Sequence, residues 1–287
     1  MSDWLPALPL LLTGGALAVG VRTLAIRGDR WPRRRTASAA AGLVLLAIGL
    51  LPPLASVDEE FRVHVVQHLL VAMVAPLLFA LGAPVTLALR TVRTPTRRRL
   101  LALLRSHPVR VLTWPPVVLA LDVGGLYLVY LGGLGEHAQH MPWLHPLVHA
   151  HMIAAGWLFA SVVAGTDPVP RPGVPGRLAL VVLAGAGHDV VAKLLYARGY
   201  GQGAEIMYYG GTIVDVALAV AVLVGWYAAG GRELARAQRR AERIRSPAWR
   251  PGSSRVATTG GTRGDQGGHR RRLGPDLAVL PADRSRG

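Results

Sequence analysis

Apolar residues gather along this chain into long blocks separated by short polar stretches. Blocks of about 20 residues, the length that crosses a hydrocarbon core of about 30 Å, recur with few charges inside them. They run over roughly 4–26, 37–55, 61–82, 109–131, 146–165, 177–197 and 207–229. None shows the two-residue alternation of a barrel strand. Lipid offers no partner to an unpaired backbone group, so such blocks cross as helices. The pattern predicts an all-α, polytopic membrane protein with seven transmembrane helices. The first block is read as a helix rather than a cleaved signal, because its basic residues follow it and no small-residue cleavage site closes it.

Charge adds an orientation. The chain has 287 residues, 51% hydrophobic, with 32 Lys and Arg against 16 Asp and Glu. Arg27, Arg30, Arg33, Arg34 and Arg35 fill the first connection, Arg90, Arg93, Arg97, Arg98, Arg99 and Arg105 the third, and Arg171 and Arg177 the fifth. The alternate connections hold Asp58, Glu59 and Glu60, then Glu136, then Arg198 with Glu205. Basic short loops stay in the cytoplasm, so the N-terminus is expected outside and the C-terminus inside. The tail agrees, with 14 arginines from Arg232 to Arg286. The chain thus reads as a seven-helix transmembrane domain over 1–229 and a basic, mostly disordered cytoplasmic tail over 230–287, too polar to offset its ordering entropy. It is expected as a multi-pass protein of the cell membrane whose surroundings are the lipid bilayer. The positive-inside pattern accounts for the charge, and no nucleic-acid partner is expected.

Candidate chemistry lies on one side of this frame. With no cysteine, disulfides, thiolate metal sites and Fe–S clusters are excluded, and a metal here is held by His, Met or oxygen. Seven of the ten histidines fall in outer connections or the outer parts of spans, and His188 falls inside the sixth span. His64 and His68 are four apart, so their imidazoles share one helix face about 6 Å from each other. His145 and His149 repeat that spacing. At about 1.5 Å per residue, His64 and His149 lie about 5 Å deep, His68 about 10 Å and His188 about 14 Å.

Asp122, Asp189, Lys193 and Asp215 fall in the same outer half, where ionisable groups cost several kcal/mol unless paired or functional. Lys193 follows Asp189 by four residues, and an intrahelical ion pair is the plain reading of those two. His137 and His140 read as solvated loop residues, and His151 as a packing or hydrogen-bonding one. The candidate metal ligands are therefore His64, His68, His145, His149 and His188. Met152 or Met141 could supply a thioether that favours Cu(I), whereas Met73 lies deeper and reads as core. Imidazole alone leaves copper, zinc and iron open.

Three passages resemble a known family, the CtaG-type membrane proteins required for assembly of haem–copper cytochrome c oxidase. They are HVVQHLLVAMVAPLLFALGAPVTLALR from His64 to Arg90, HPLVHAHMIAAGWLFASVVAGTDPVP from His145 to Pro170, and GHDVVAKLLYA from Gly187 to Ala197. The first is similar to the family's paired histidines followed by an LGAP-like turn. The resemblance implies a non-catalytic assembly factor, partnered with cytochrome c oxidase subunits, that handles copper through His64, His68, His149 and His188. Two other classes compete with it. One is a haem-binding or proton-transfer protein using two histidines from facing helices, and the other an intramembrane zinc-dependent hydrolase holding a water on three His and an Asp. The arginine-rich tail departs from the family pattern.

Overall fold

In the computed structural model, residues 6–52, 54, 60–141 and 143–245 are described. Trp4, Pro53, the acidic Asp58 and Glu59, and the tail after Arg245 lie outside the described residues. Regular structure among the described residues is entirely helical. The elements are α1 (Ala7–Ile26), α2 (Arg33–Leu50), α3 (Phe61–His68), a π-helical segment (Leu69–Val74), α4 (Ala75–Leu81), α5 (Pro84–Thr91), α6 (Thr94–Leu104), α7 (His107–Leu112), α8 (Pro115–Tyr130), α9 (Leu134–His140), α10 (Leu144–Val163), α11 (Val174–Ala197) and α12 (Gly201–Arg245).

Five helical stretches among the described residues are long and apolar enough to cross a membrane: Ala7–Ile26, Phe61–Leu81, Leu144–Val163, Val174–Ala197 and Gly201–Glu242. The chain is a multi-pass membrane protein. Two of the seven blocks have features that set them apart from these five. Helix α2 opens on Arg33, Arg34 and Arg35, which dilute its apolar character. The block 109–131 is divided, because Pro115 and Pro116 lack an N–H and start a new helix. What remains is the six-residue α7 and the 16-residue α8. A helix of that length rises about 24 Å, short of a full hydrocarbon core.

Lipid gives no hydrophobic drive between helices, so close approach through small residues does the packing. Helix α2 buries Ala39, Gly42, Leu46 and Gly49 along one face. A Cβ on Gly42 would stand 2.8 Å from the Ala75 carbonyl oxygen, and one on Gly82 would stand 2.6 Å from the Ala39 Cβ. The outward faces are apolar instead, with Leu11, Leu12 and Val19 of α1, Val182 of α11 and Ile213 of α12 all exposed.

The stretch from Phe61 to Leu81 changes its winding midway. Pro76 has no amide to offer the carbonyl of Ala72, and the π segment just before it absorbs that defect. Gly156 of α10 packs its bare Cα against the same Ala72 carbonyl.

The LGAP turn and the Asp-Pro loop, 80 or more residues apart in sequence, form one piece of structure. Ala83 adopts a left-handed conformation (φ 57°) that turns the chain from α4 into α5. The Asp167 carboxylate then accepts hydrogen bonds from the amides of Val85 (3.1 Å) and Thr86 (2.6 Å) and from the Thr86 hydroxyl (2.6 Å). It caps the N-terminus of α5 from outside, and Asp167 is only 2% exposed. Arg171 holds the loop by donating to the carbonyls of Gly165 and Asp167. Replacing Asp167 by Ala strands three donors and is expected to cost about 2–3 kcal/mol. The thermal midpoint of the detergent-purified protein should fall, and Asp167→Asn, which keeps one acceptor, should fall less.

Candidate functional site

His68 is the last residue of α3 and His188 lies in the middle of α11. The two are 6% and 5% exposed. Their ring centroids are 6.0 Å apart with planes 16° from parallel. Gly211 of α12 sits against the His188 ring, where any side chain would collide with it. None of the four ring nitrogens has a hydrogen-bond partner among the described residues. Buried imidazoles are ordinarily satisfied, since an unpaired polar group at this depth costs free energy.

Both rings face a cavity of about 60 Å³, lined also by Met73, Met152, Asp122, Asp215 and Tyr130. Asp122 comes from α8 and Asp215 from α12, so the two carboxylates reach the cavity from different helices.

The other predicted ligands stand around this pair. His64 and His68 both meet the ring of Tyr130 edge-on, at centroid distances of 5.6 and 5.5 Å. The hydroxyl of Tyr130 is buried and has no partner among the described residues. On α10, the His145 and His149 rings are 4.5 Å apart. The His149 Nδ1–H donates to the His145 carbonyl at 3.1 Å, which leaves the lone pair on Nε2. His64, His149 and His188 all lie within electrostatic reach of His68. Even so, among the described residues no group of three or more His, Cys, Asp or Glu is placed to hold one metal ion. The five histidines thus divide into a direct pair, His68 with His188, a neighbour joined through Tyr130, and a second pair on α10.

Of the polar layer, Asp122, Asp215 and Met152 line the cavity, and Asp189 and Lys193 do not. The ion pair expected between the last two is not formed: among the described residues no salt bridge joins them. Lys193 is instead exposed and holds its ammonium 5.3 Å from the centre of the Tyr208 ring, drawn to α12 by the cation–π attraction. His151 hydrogen-bonds the Leu121 carbonyl (3.2 Å) and also lines the cavity.

Two lining residues escape a reading of spacing. In an α-helix five residues make about 1.4 turns, which would point Met73 away from His68. The π segment between them closes its bonds from i to i+5, so five residues return the chain to nearly the same face. Met73 thereby lines the cavity while also packing against the hydrophobic core. Tyr130 carries no spacing signal, and only its place as the last residue of α8 points to it.

The sequence of this chain matches the cytochrome c oxidase caa3 assembly factor family over residues 15–201. The chain belongs to that family. The match takes in His64, His68, His145, His149 and His188, and the LGAP and Asp-Pro passages joined by Asp167. Uncharacterized proteins of Mycobacterium bovis and Mycobacterium tuberculosis are each 32% identical to the chain over 173 residues, 57% of this chain and 26% of theirs. One of Mycobacterium leprae is 29% identical over 152 residues, 50% of this chain and 23% of its own length. The assembly-factor chain therefore spans about a quarter of the length of these curated relatives. No solved structure matches it.

Proposed function

We propose that this assembly factor is non-catalytic and binds copper between His68 and His188 for transfer to cytochrome c oxidase subunits. The observation that carries the reading is the set of four buried ring nitrogens without partners, facing one small cavity. A metal–nitrogen distance of about 2.0–2.1 Å puts the centroids of two ligating imidazoles roughly 5–6.5 Å apart, depending on the angle at the ion. The observed 6.0 Å lies in that interval. Met73 and Met152 offer thioethers to the same space, and two imidazoles with a thioether make a low-coordination set suited to Cu(I).

The competing classes fit less well. Small-molecule pockets run to about 300–1,000 Å³, and a cavity of about 60 Å³ favours an ion over a haem. A hydrolytic zinc keeps three protein ligands and an open position, a set that the described His, Cys, Asp and Glu do not assemble.

In this reading all seven apolar blocks cross the cell membrane, with the N-terminus outside and the C-terminus cytoplasmic. The histidines lie in the outer half, and 230–287 is a basic cytoplasmic tail. Metal analysis of the detergent-purified full chain tests the copper reading. The wild type is expected to retain copper, and His68→Ala/His188→Ala to lose most of it, with His64→Ala/His68→Ala also depleted. Equal copper in wild type and variants would remove the site. A Soret band or retained zinc would move the assignment to the haem or hydrolase class.

A further inference from the structure

The connection from α4 to α8 is built in two unlike parts. Helix α5 is anchored: Leu87 and Leu89 are buried, Asp167 caps its start, and Arg27 donates to the carbonyls of Arg90 (3.2 Å) and Thr91 (3.3 Å) at its end. Helices α6 and α7 bury no residue at all. They carry Arg97, Arg98 and Arg99, and then Arg105 and Arg110, every one exposed. None of their guanidinium groups has a hydrogen-bond or ion-pair partner among the described residues. Their own stretch supplies none, because no Asp or Glu lies between Glu60 and Asp122.

Large apolar side chains stand bare beside these charges. Leu103, Val111, Leu112 and Trp114 are 58%, 43%, 46% and 58% exposed. Water alone suits the arginines and leaves the apolar groups unburied. A headgroup region takes both, with cations among phosphates and apolar side chains at the acyl boundary. The strap also joins a membrane-crossing stretch, Phe61–Leu81, to α8, which keeps it near the membrane surface.

We propose that α6 and α7 form an amphipathic strap that binds anionic phospholipid, with Arg97, Arg98 and Arg99 holding the headgroup phosphates. Leu103, Leu112 and Trp114 enter the lipid beside them. An acidic protein loop would satisfy the arginines but has no use for that apolar row, which is why lipid is favoured.

The chain has no cysteine, so Leu103→Cys gives the full-length protein a single labelling site. In nanodiscs containing phosphatidylglycerol, a fluorophore there is expected to be quenched by a lipid-borne quencher and shielded from aqueous iodide. Native mass spectrometry of the full chain should find phosphatidylglycerol retained in preference to phosphatidylcholine. Arg97→Gln/Arg98→Gln/Arg99→Gln should cut that preference about a hundredfold, at roughly fivefold (about 1 kcal/mol) for each basic residue near an anionic surface. The substituted side chains are exposed and make no hydrogen bond or ion pair among the described residues, so the thermal midpoint should stay unchanged. Iodide quenching in the bilayer, or an undiminished preference in the triple variant, overturns the proposal. So does loss of the preference to inorganic phosphate alone, which makes the arginines a free-phosphate site, or shielding that needs added oxidase, which makes the strap a protein contact.

Discussion

Cells carrying His68→Ala/His188→Ala are expected to insert the protein at normal levels and to lose most of their active haem–copper cytochrome c oxidase, with partial recovery on added copper. The four ring nitrogens make no hydrogen bonds within the described protein, so their removal breaks no such bond. It leaves a hole, and large-to-small changes in a packed interior cost about 2–5 kcal/mol. His68→Leu/His188→Leu refills much of that volume without a donor nitrogen. Both variants should therefore fail alike if the imidazoles act on a metal, and only the alanine form should fail if they act by packing. Removing a mere outer-shell partner costs about 10–100-fold in metal affinity, so losing both imidazoles should lower oxidase activity at low copper by at least about tenfold. The measurement is oxidase activity normalised to inserted assembly factor, at low and high copper. Full activity of the leucine variant at low copper would falsify the copper reading.

The second large effect is on folding. Gly156→Val is expected to abolish most of the inserted, detergent-stable protein, because its side chain would be driven into the Ala72 carbonyl and toward Pro76. Neither neighbour can yield: Ala72 is backbone within the π segment, and Pro76 is fixed by its ring. Overpacking a tight interface costs about 1–3 kcal/mol and more against rigid backbone. Gly156→Ala meets the same atom and should show a milder form of the defect. Gly15→Ala and Gly225→Ala are the controls, since nothing lies within 4 Å of a Cβ at either position. Both should be neutral or slightly stabilising, because alanine is the better helix former. Yield of monodisperse protein and its thermal midpoint report all four.

The helical, multi-pass class was legible because the length of an apolar block and the absence of strand alternation leave only one way to satisfy a backbone in lipid. The approach of His68 to His188 was legible as well, since depth along a helix follows from counting residues. What counting misses is any departure from even winding. Met73 packs against the core as its depth predicts, but the slower winding of the segment before it also brings it to the cavity, which depth alone does not show. The block 109–131 reads as one span by composition, yet two prolines restart the helix inside it. Asp167 drew attention only as part of a passage, because the partner that explains it lies 81 and 82 positions away in the backbone of Thr86 and Val85. Lys193 was paired with Asp189 by spacing alone, and an aromatic ring on the next helix competes for it.

The cap that Asp167 places on α5 bears on how this protein can be recombined with others. Its acceptor atoms belong to the loop after α10, and its donors to the turn after α4. A hybrid that takes the paired-histidine stretch from one assembly factor and α10 from another inherits one half of this contact from each parent. Crossovers that keep 82–86 and 165–171 from the same parent preserve the turn, and those that separate them put a foreign loop against a helix end that has no cap of its own. The workable seams for exchange therefore follow this contact rather than the order of the helices along the chain.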